Sequence, residues 1–162
     1  MSQNTYENTI FLHGLESSSK GTKGSYFTEH FQKIITPDFE GSLQERMHTL
    51  YSITATMKNL ILVGSSFGGL MASLYAMEKE SKVKKIILLA PALNFPDFTP
   101  FLEKKTSTQT IVFQGIHDTV TPLKEVKTAA QKVFSNLTFH ELDDDHMLHN
   151  SFKTICWQEL LT

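Results

Sequence analysis

A run of four apolar residues, Leu60-Ile61-Leu62-Val63, leads into the pentapeptide Gly64-Ser65-Ser66-Phe67-Gly68. A helix-like run, Leu70-Met71-Ala72-Ser73-Leu74, follows at once. Strand, sharp turn and helix, with a serine at the centre of G-x-S-x-G, constrain the fold more than any other stretch. A side chain at position 64 or 68 would crowd a turn that must hold Ser66 in strained backbone geometry. Gly69 lets the helix lie close to the sheet.

The rest of the chain repeats the same alternation. Thr9 to Leu12 reads as a buried strand, and Gly21 to Lys33 as a helix with Tyr26, Phe27, His30 and Phe31 on one side. Ile34-Ile35 is a short strand stopped near Pro37. Leu43, Met47, Leu50, Tyr51 and Met57 fall at helical spacing after a Gly41-Ser42 start. Further strands are expected at Ile86 to Leu89, Thr110 to Gln114 and Leu137 to Leu142. Thr121-Pro122 reads as an N-cap with proline at the first helical position, opening a helix through Leu123, Val126, Ala130 and Val133. Leu148, Phe152, Ile155 and Cys156 mark a final helix. The central strands are apolar without alternation, as expected when helices cover both faces. The expected fold is a three-layer α/β/α sandwich on a doubly wound, mostly parallel sheet. Ligands of such folds bind outside the carboxyl ends of the strands.

A length of 162 residues suits one domain over 1–162. The net charge of -2 gives no electrostatic case for nucleic acid or an anionic membrane. With one cysteine, Cys156, there is no intramolecular disulfide and no cysteine-based metal site; Cys156 reads as a small buried hydrophobe. The polar N-terminus does not resemble a signal peptide. No apolar run approaches the ~20 residues that span a bilayer. A soluble, cytoplasmic monomer is the default expectation.

The candidate chemistry lies at strand ends. Serine is a weak nucleophile and needs a base to take its proton. Histidine suits, and needs a carboxylate to fix its tautomer. Both partners are therefore sought downstream, each in a loop after a strand. Asp118, in Gly115-Ile116-His117-Asp118 after one strand, fits the acid. His146, after Asp143-Asp144-Asp145 and the last strand, fits the base. Asp97 and Asp143 are fallback acids. Asp145 adjoins His146 too closely to orient it. His149 competes with His146 but falls inside the expected final helix. His117 reads as exposed. An oxyanion needs two backbone N–H donors. Phe67, after the nucleophile, supplies one, and Leu15, after His13-Gly14, the other. His13 reads as a structural support of that loop. Ser17, Ser18 and Ser19 either contact substrate or cap the next helix. The acidic run 143–145 reads as a solvated turn rather than a metal site.

With these residues in place the chain resembles the α/β-hydrolase family. The family's H-G loop appears at His13-Gly14, its elbow at Gly64 to Gly68, its acid loop G-x-x-D-x-x-T-P at Gly115 to Pro122 and its late histidine at His146. More narrowly, Phe11 to Ser19 with Lys23 resembles the opening of small cap-less bacterial YqiA-like esterases. The antiparallel edge of larger members is missing. The 19 residues from Pro91 to Gln109 are too few for a lid domain. Asn94 to Phe101, with three phenylalanines, is expected to wall the pocket in part. The resemblance implies a serine hydrolase that cleaves a small-molecule carboxylic ester through Ser66, Asp118 and His146, with no cofactor or metal. A thioesterase or acyltransferase using the same triad, and a binding protein that keeps the scaffold, are the alternatives.

Overall fold

The computed structural model describes residue 6 and residues 8–162. Five strands, β1 (Thr9–Leu12), β2 (Leu60–Ser65), β3 (Val83–Leu89), β4 (Gln109–Gly115) and β5 (Leu137–Leu142), form one sheet in the order β1-β2-β3-β4-β5. Every pairing is parallel. The helices are α1 (Thr22–His30), α2 (Leu43–Ile53), α3 (Phe67–Glu78), α4 (Leu123–Val133) and the short α5 (Trp157–Leu160).

The apolar runs are split between two cores by the two-residue period of a strand. Ile10, Leu12, Leu60, Leu62, Ile86, Leu88 and Val112 pack on one face with residues of α2, α3 and α4. Phe11, Ile61, Val63, Ile87, Leu89, Ile111 and Phe113 pack on the other with Phe27, Phe31, Phe152 and Trp157. Both faces are dry, which is why the strands carry no polar alternation. β5, at the sheet edge, has no buried residue and is the exception.

Ile34-Ile35 contributes less than a strand. A single bridge joins Ile35 to Ile10, with Phe11 N–H donating to Ile35 O at 2.9 Å and Ile35 N–H to Thr9 O at 2.9 Å. The bridge lies on the side of β1 away from β2. The chain therefore leaves β1 in one direction and leaves β2 in the other. The carboxyl ends of β1 and β2 form the topological switch point of the sheet, where such folds open a crevice.

Several elements are shorter than expected. α1 begins at Thr22 and ends at His30. A capping box between Ser42 and Glu45 starts α2, which stops at Ile53; Met57 packs on the core from beyond it. The expected final helix from Leu148 is broken. Asp144 is buried, and its Oδ2 accepts from Asn150 N–H at 3.0 Å and Ser151 N–H at 2.8 Å. A carboxylate that takes backbone donors competes with helix formation. The acidic run is therefore not wholly solvated. Trp157, not Cys156, takes the buried place in this segment, and Cys156 is exposed.

No lid domain separates β3 from β4. Residues Pro96–Phe101 form a 3-10 turn whose Phe98 is buried in the core.

Candidate active site

β2 ends at Ser65 and α3 begins at Phe67, so Ser66 alone makes the turn. Its backbone has φ 54° and ψ -115°, a positive φ that an L residue adopts only when its surroundings impose it. Four hydrogen bonds do so. Ser66 N–H donates to Leu89 O at 2.9 Å, and Ser66 O accepts from Gly69, Leu70 and Ala92 N–H at 2.9, 3.2 and 2.9 Å. The bracketing glycines are required by close approach. A Cβ at Gly64 would lie 2.3 Å from Gly68 O, and one at Gly68 would lie 2.0 Å from Leu12 O.

The structure brings Ser66, His146 and Asp118 together. Ser66 Oγ lies 3.1 Å from His146 Nε2, and His146 Nδ1 lies 2.7 Å from Asp118 Oδ2. The carboxylate can only accept, so the ring proton sits on Nδ1 and the Nε2 lone pair faces the serine. The Asp118 side chain is fully buried. Its Oδ1 accepts from Val120 N–H at 2.9 Å and Thr121 N–H at 2.8 Å. Its Oδ2 also accepts from the Thr121 hydroxyl at 2.8 Å and Gln114 Nε2 at 3.0 Å. Burial by itself raises the Asp118 pKa. The bonds from Thr121 N–H, His146 and the Thr121 hydroxyl outweigh it and hold the carboxyl below its usual range.

Thr121 is therefore not the cap that the Thr-Pro pair suggests. Pro122 occupies the N-cap of α4 with no side-chain cap bond, and the hydroxyl turns inward to Asp118. Sequence patterning misses Gln114 altogether, since the side chain ends an apolar strand one residue before the acid loop and belongs to neither pattern. Its Nε2 reaches Asp118 Oδ2 and Thr121 O, at 3.0 and 2.8 Å.

His13 is buried beneath the loop that carries Leu15. Phe39 N–H donates to its Nε2 at 2.9 Å, which leaves the proton on Nδ1, 2.7 Å from Gly14 O. The Gly14–Leu15 peptide is trans, so holding its oxygen turns Leu15 N–H the opposite way. Neither Leu15 N–H nor Phe67 N–H donates to another described residue. Phe67 begins α3 with its side chain in the core, so its N–H belongs to the unsatisfied first turn.

The competing residues lie elsewhere. Asp143 pairs with His117 at 2.8 Å and Asp145 with His149 at 2.6 Å, all four exposed. His149 sits in a turn rather than a helix. Asp97 is exposed in the 3-10 turn after β3. None of Ser17, Ser18 and Ser19 caps α1, whose N-cap is Gly21 without a side-chain bond. Ser17 lines the cleft.

The sequence profile described as the Alpha/beta hydrolase family matches residues 43–156. The chain belongs to the alpha/beta hydrolase family. No curated protein matches its sequence. Among solved structures it is similar to alpha/beta hydrolase domain-containing protein 10 from mouse, at 17% identity over 94% of this chain and 88% of that one, with a TM-score of 0.77. It is also similar to an esterase from Exiguobacterium antarcticum, at 14% identity over 96% and 90%, with a TM-score of 0.78. A third similar structure is a monoacylglycerol lipase from Paleococcus ferrophilus, at 16% identity over 94% and 93%, with a TM-score of 0.74. At these identities the likeness is one of fold.

In this alpha/beta hydrolase a cleft of about 390 Å³ opens over Ser66 and His146. Leu15, Phe95, Val120 and Met147 give it an apolar mouth, and three of them are unusually exposed: Leu15 at 47%, Val120 at 51% and Met147 at 48%. Of the three phenylalanines expected to wall the pocket, only Phe95 does so. Lys23, buried in the cleft wall, donates to Met147 O at 2.8 Å and so ties α1 to the loop bearing His146. Burial lowers the Lys23 pKa, while the nearby Asp145 and Asp144 oppose the shift. Among the described residues no cluster of three His, Cys, Asp or Glu side chains could hold a metal ion, and no helix is long and apolar enough to cross a membrane.

Proposed function

We propose that this alpha/beta hydrolase is a serine esterase acting on small carboxylic esters. The single observation that carries the reading is the unbroken line from Ser66 Oγ through His146 to the buried Asp118, at 3.1 and 2.7 Å. Ser66 Oγ attacks the ester carbonyl carbon while His146 Nε2 takes its proton. Asp118, ionised throughout, holds the imidazolium. Leu15 and Phe67 N–H donate to the tetrahedral oxyanion. His146 then protonates the leaving alkoxide oxygen as its bond to carbon breaks. Water attacks the acyl-Ser66 carbon and gives a proton to His146, which passes it to Ser66 Oγ as the bond from that oxygen to the acyl carbon breaks and the acid departs.

The apolar mouth favours an uncharged acyl or alkyl chain near the scissile bond, as burying such a chain is favourable by ~0.8 kcal/mol per methylene. The test is Ser66→Ala, assayed on short-chain 4-nitrophenyl esters. Turnover is expected to fall about a million-fold. Undiminished hydrolysis by the purified variant overturns the reading.

A further inference from the structure

We propose that Arg46 is a positioning residue for the oxyanion site, fixing Leu15 from below and placing a buried positive charge behind the two N–H donors. The proposal rests on the esterase reading of Ser66.

Arg46 is the only arginine among the 15 lysine and arginine side chains of the chain. It stands on the apolar stripe of α2, three residues after Leu43 and four before Leu50, and is 5% exposed. Its Nε donates to Gly41 O at 3.1 Å, and its Nη2 makes a long contact of 3.5 Å with Leu15 O. The guanidinium carbon lies 5.5 Å from the centroid of the Phe67 ring. Arg46 thus lies against the carbonyl of one residue and the ring of the other whose N–H groups face the oxyanion in the proposed mechanism.

The two peptide groups flanking the Leu15 α-carbon are held from opposite sides of the sequence. His13 Nδ1–H holds Gly14 O at 2.7 Å, and Arg46 Nη2 lies against Leu15 O at 3.5 Å. Together they restrict both backbone dihedrals of Leu15, so its N–H keeps one direction. A preorganised donor of this kind does not have to reorient as charge develops.

The charge is also unusual. Among the described residues Arg46 makes no ion pair, and Nη1 is buried with no hydrogen-bond partner. Burial lowers its pKa, with the exposed Glu40 opposing, yet an arginine side chain stays protonated in proteins. A buried cation with no direct ion pair is poorly explained by stability, since unsatisfied charges destabilise a core. A negative charge that forms in the transition state beside Leu15 and Phe67, the residues Arg46 lies against, would offset part of that cost.

The test uses Arg46→Met, Arg46→Gln and Arg46→Lys in the full chain, with 4-nitrophenyl butyrate as substrate. Met and Gln variants are expected to lose at least tenfold in kcat with KM within about threefold of the parent. The Lys variant, which keeps the charge, recovers at least threefold of that loss. All are expected to unfold cooperatively and to be labelled at Ser66 by a fluorophosphonate, more slowly than the parent. If Arg46→Met fails to fold, Arg46→Gln carries the same expectation. A kcat within threefold of the parent, a loss confined to KM, or a Lys variant as slow as the Met variant overturns the proposal. A parent protein that no fluorophosphonate labels at Ser66 overturns the esterase reading instead.

Discussion

Gln114 Nε2 lies 3.0 Å from Asp118 Oδ2, so the carboxylate oxygen that faces His146 is also held by an amide from the end of β4. All contacts of this nitrogen are with oxygen acceptors, which fixes the orientation of the amide. The bond keeps Asp118 turned towards the imidazole. Gln114→Met, which retains volume without the amide, is expected to lower kcat about tenfold. It leaves Thr121 O without its donor and is expected to destabilise the protein by about 1–3 kcal/mol. Steady-state kinetics and urea unfolding check both effects. Parent-like kcat in a destabilised variant would show that the amide serves stability alone.

The elbow glycines offer a steric test. Gly64→Ala and Gly68→Ala place a methyl group 2.3 and 2.0 Å from backbone oxygens that cannot step aside. Each is expected to cost about 3 kcal/mol or more through overpacking. At Gly14 an added Cβ meets Ser66 Cβ at 3.5 Å, an ordinary contact. Gly14→Ala is therefore expected to keep the parent melting temperature within a few degrees. Thermal unfolding of the three variants decides it, and equal losses would contradict the geometry.

Acid should unfold this protein through two buried carboxylates. Burial raises the pKa of Asp118 and of Asp144, and backbone and side-chain donors reverse the shift at both, leaving each below its usual value. A native pKa below the unfolded one means that the unfolded chain binds the proton more readily. The stabilisation is present above the unfolded pKa of ~3.9 and is lost as pH falls through the native values. Urea midpoints are expected to hold from pH 7 to 5 and to drop below about pH 4. Asp144→Asn should flatten part of that drop. A midpoint unchanged at pH 3 would contradict both assignments.

The exposed rim of the cleft predicts chain-length selectivity. Val120→Ser and Met147→Ser are expected to lower kcat/KM for a hexanoate ester several-fold more than for an acetate ester, following ~0.8 kcal/mol per buried methylene. A graded series of 4-nitrophenyl esters measures this. An equal fall across the series would mean that the rim does not touch the acyl chain.

Most of the constellation was legible before any coordinates. Ser66, Asp118 and His146 each follow a strand, and strand ends meet at one edge of a parallel sheet, so chain order and periodicity suffice to nominate them. The acid loop already favours Asp118, and geometry sets the nearer carboxylates aside. Asp143 and Asp145 precede His146 by only three and one residues, yet their side chains turn to His117 and His149. Thr121 shows the same limit: the pattern Thr-Pro is an N-cap signature, but the buried Asp118 competes for the hydroxyl and wins.

Apolar runs and glycine placement along the chain are enough to define the layered parallel sheet and the strained serine, because unbroken apolar strands require two covered faces and the close-packed elbow tolerates glycine alone at 64 and 68. Tertiary structure alone decided which polar side chains turn inward. Asp144 carries no local signal of burial; Arg46, on the apolar stripe of α2, and Gln114, at the end of an apolar strand, carry no signal of what they meet there. Their partners, Asp118, the N–H groups of residues 150 and 151, and the carbonyl of Leu15, come from elsewhere in the chain or from a loop whose path is set by packing. A buried polar group is placed by the donors and acceptors that meet it in space, and periodicity along the chain does not encode that meeting.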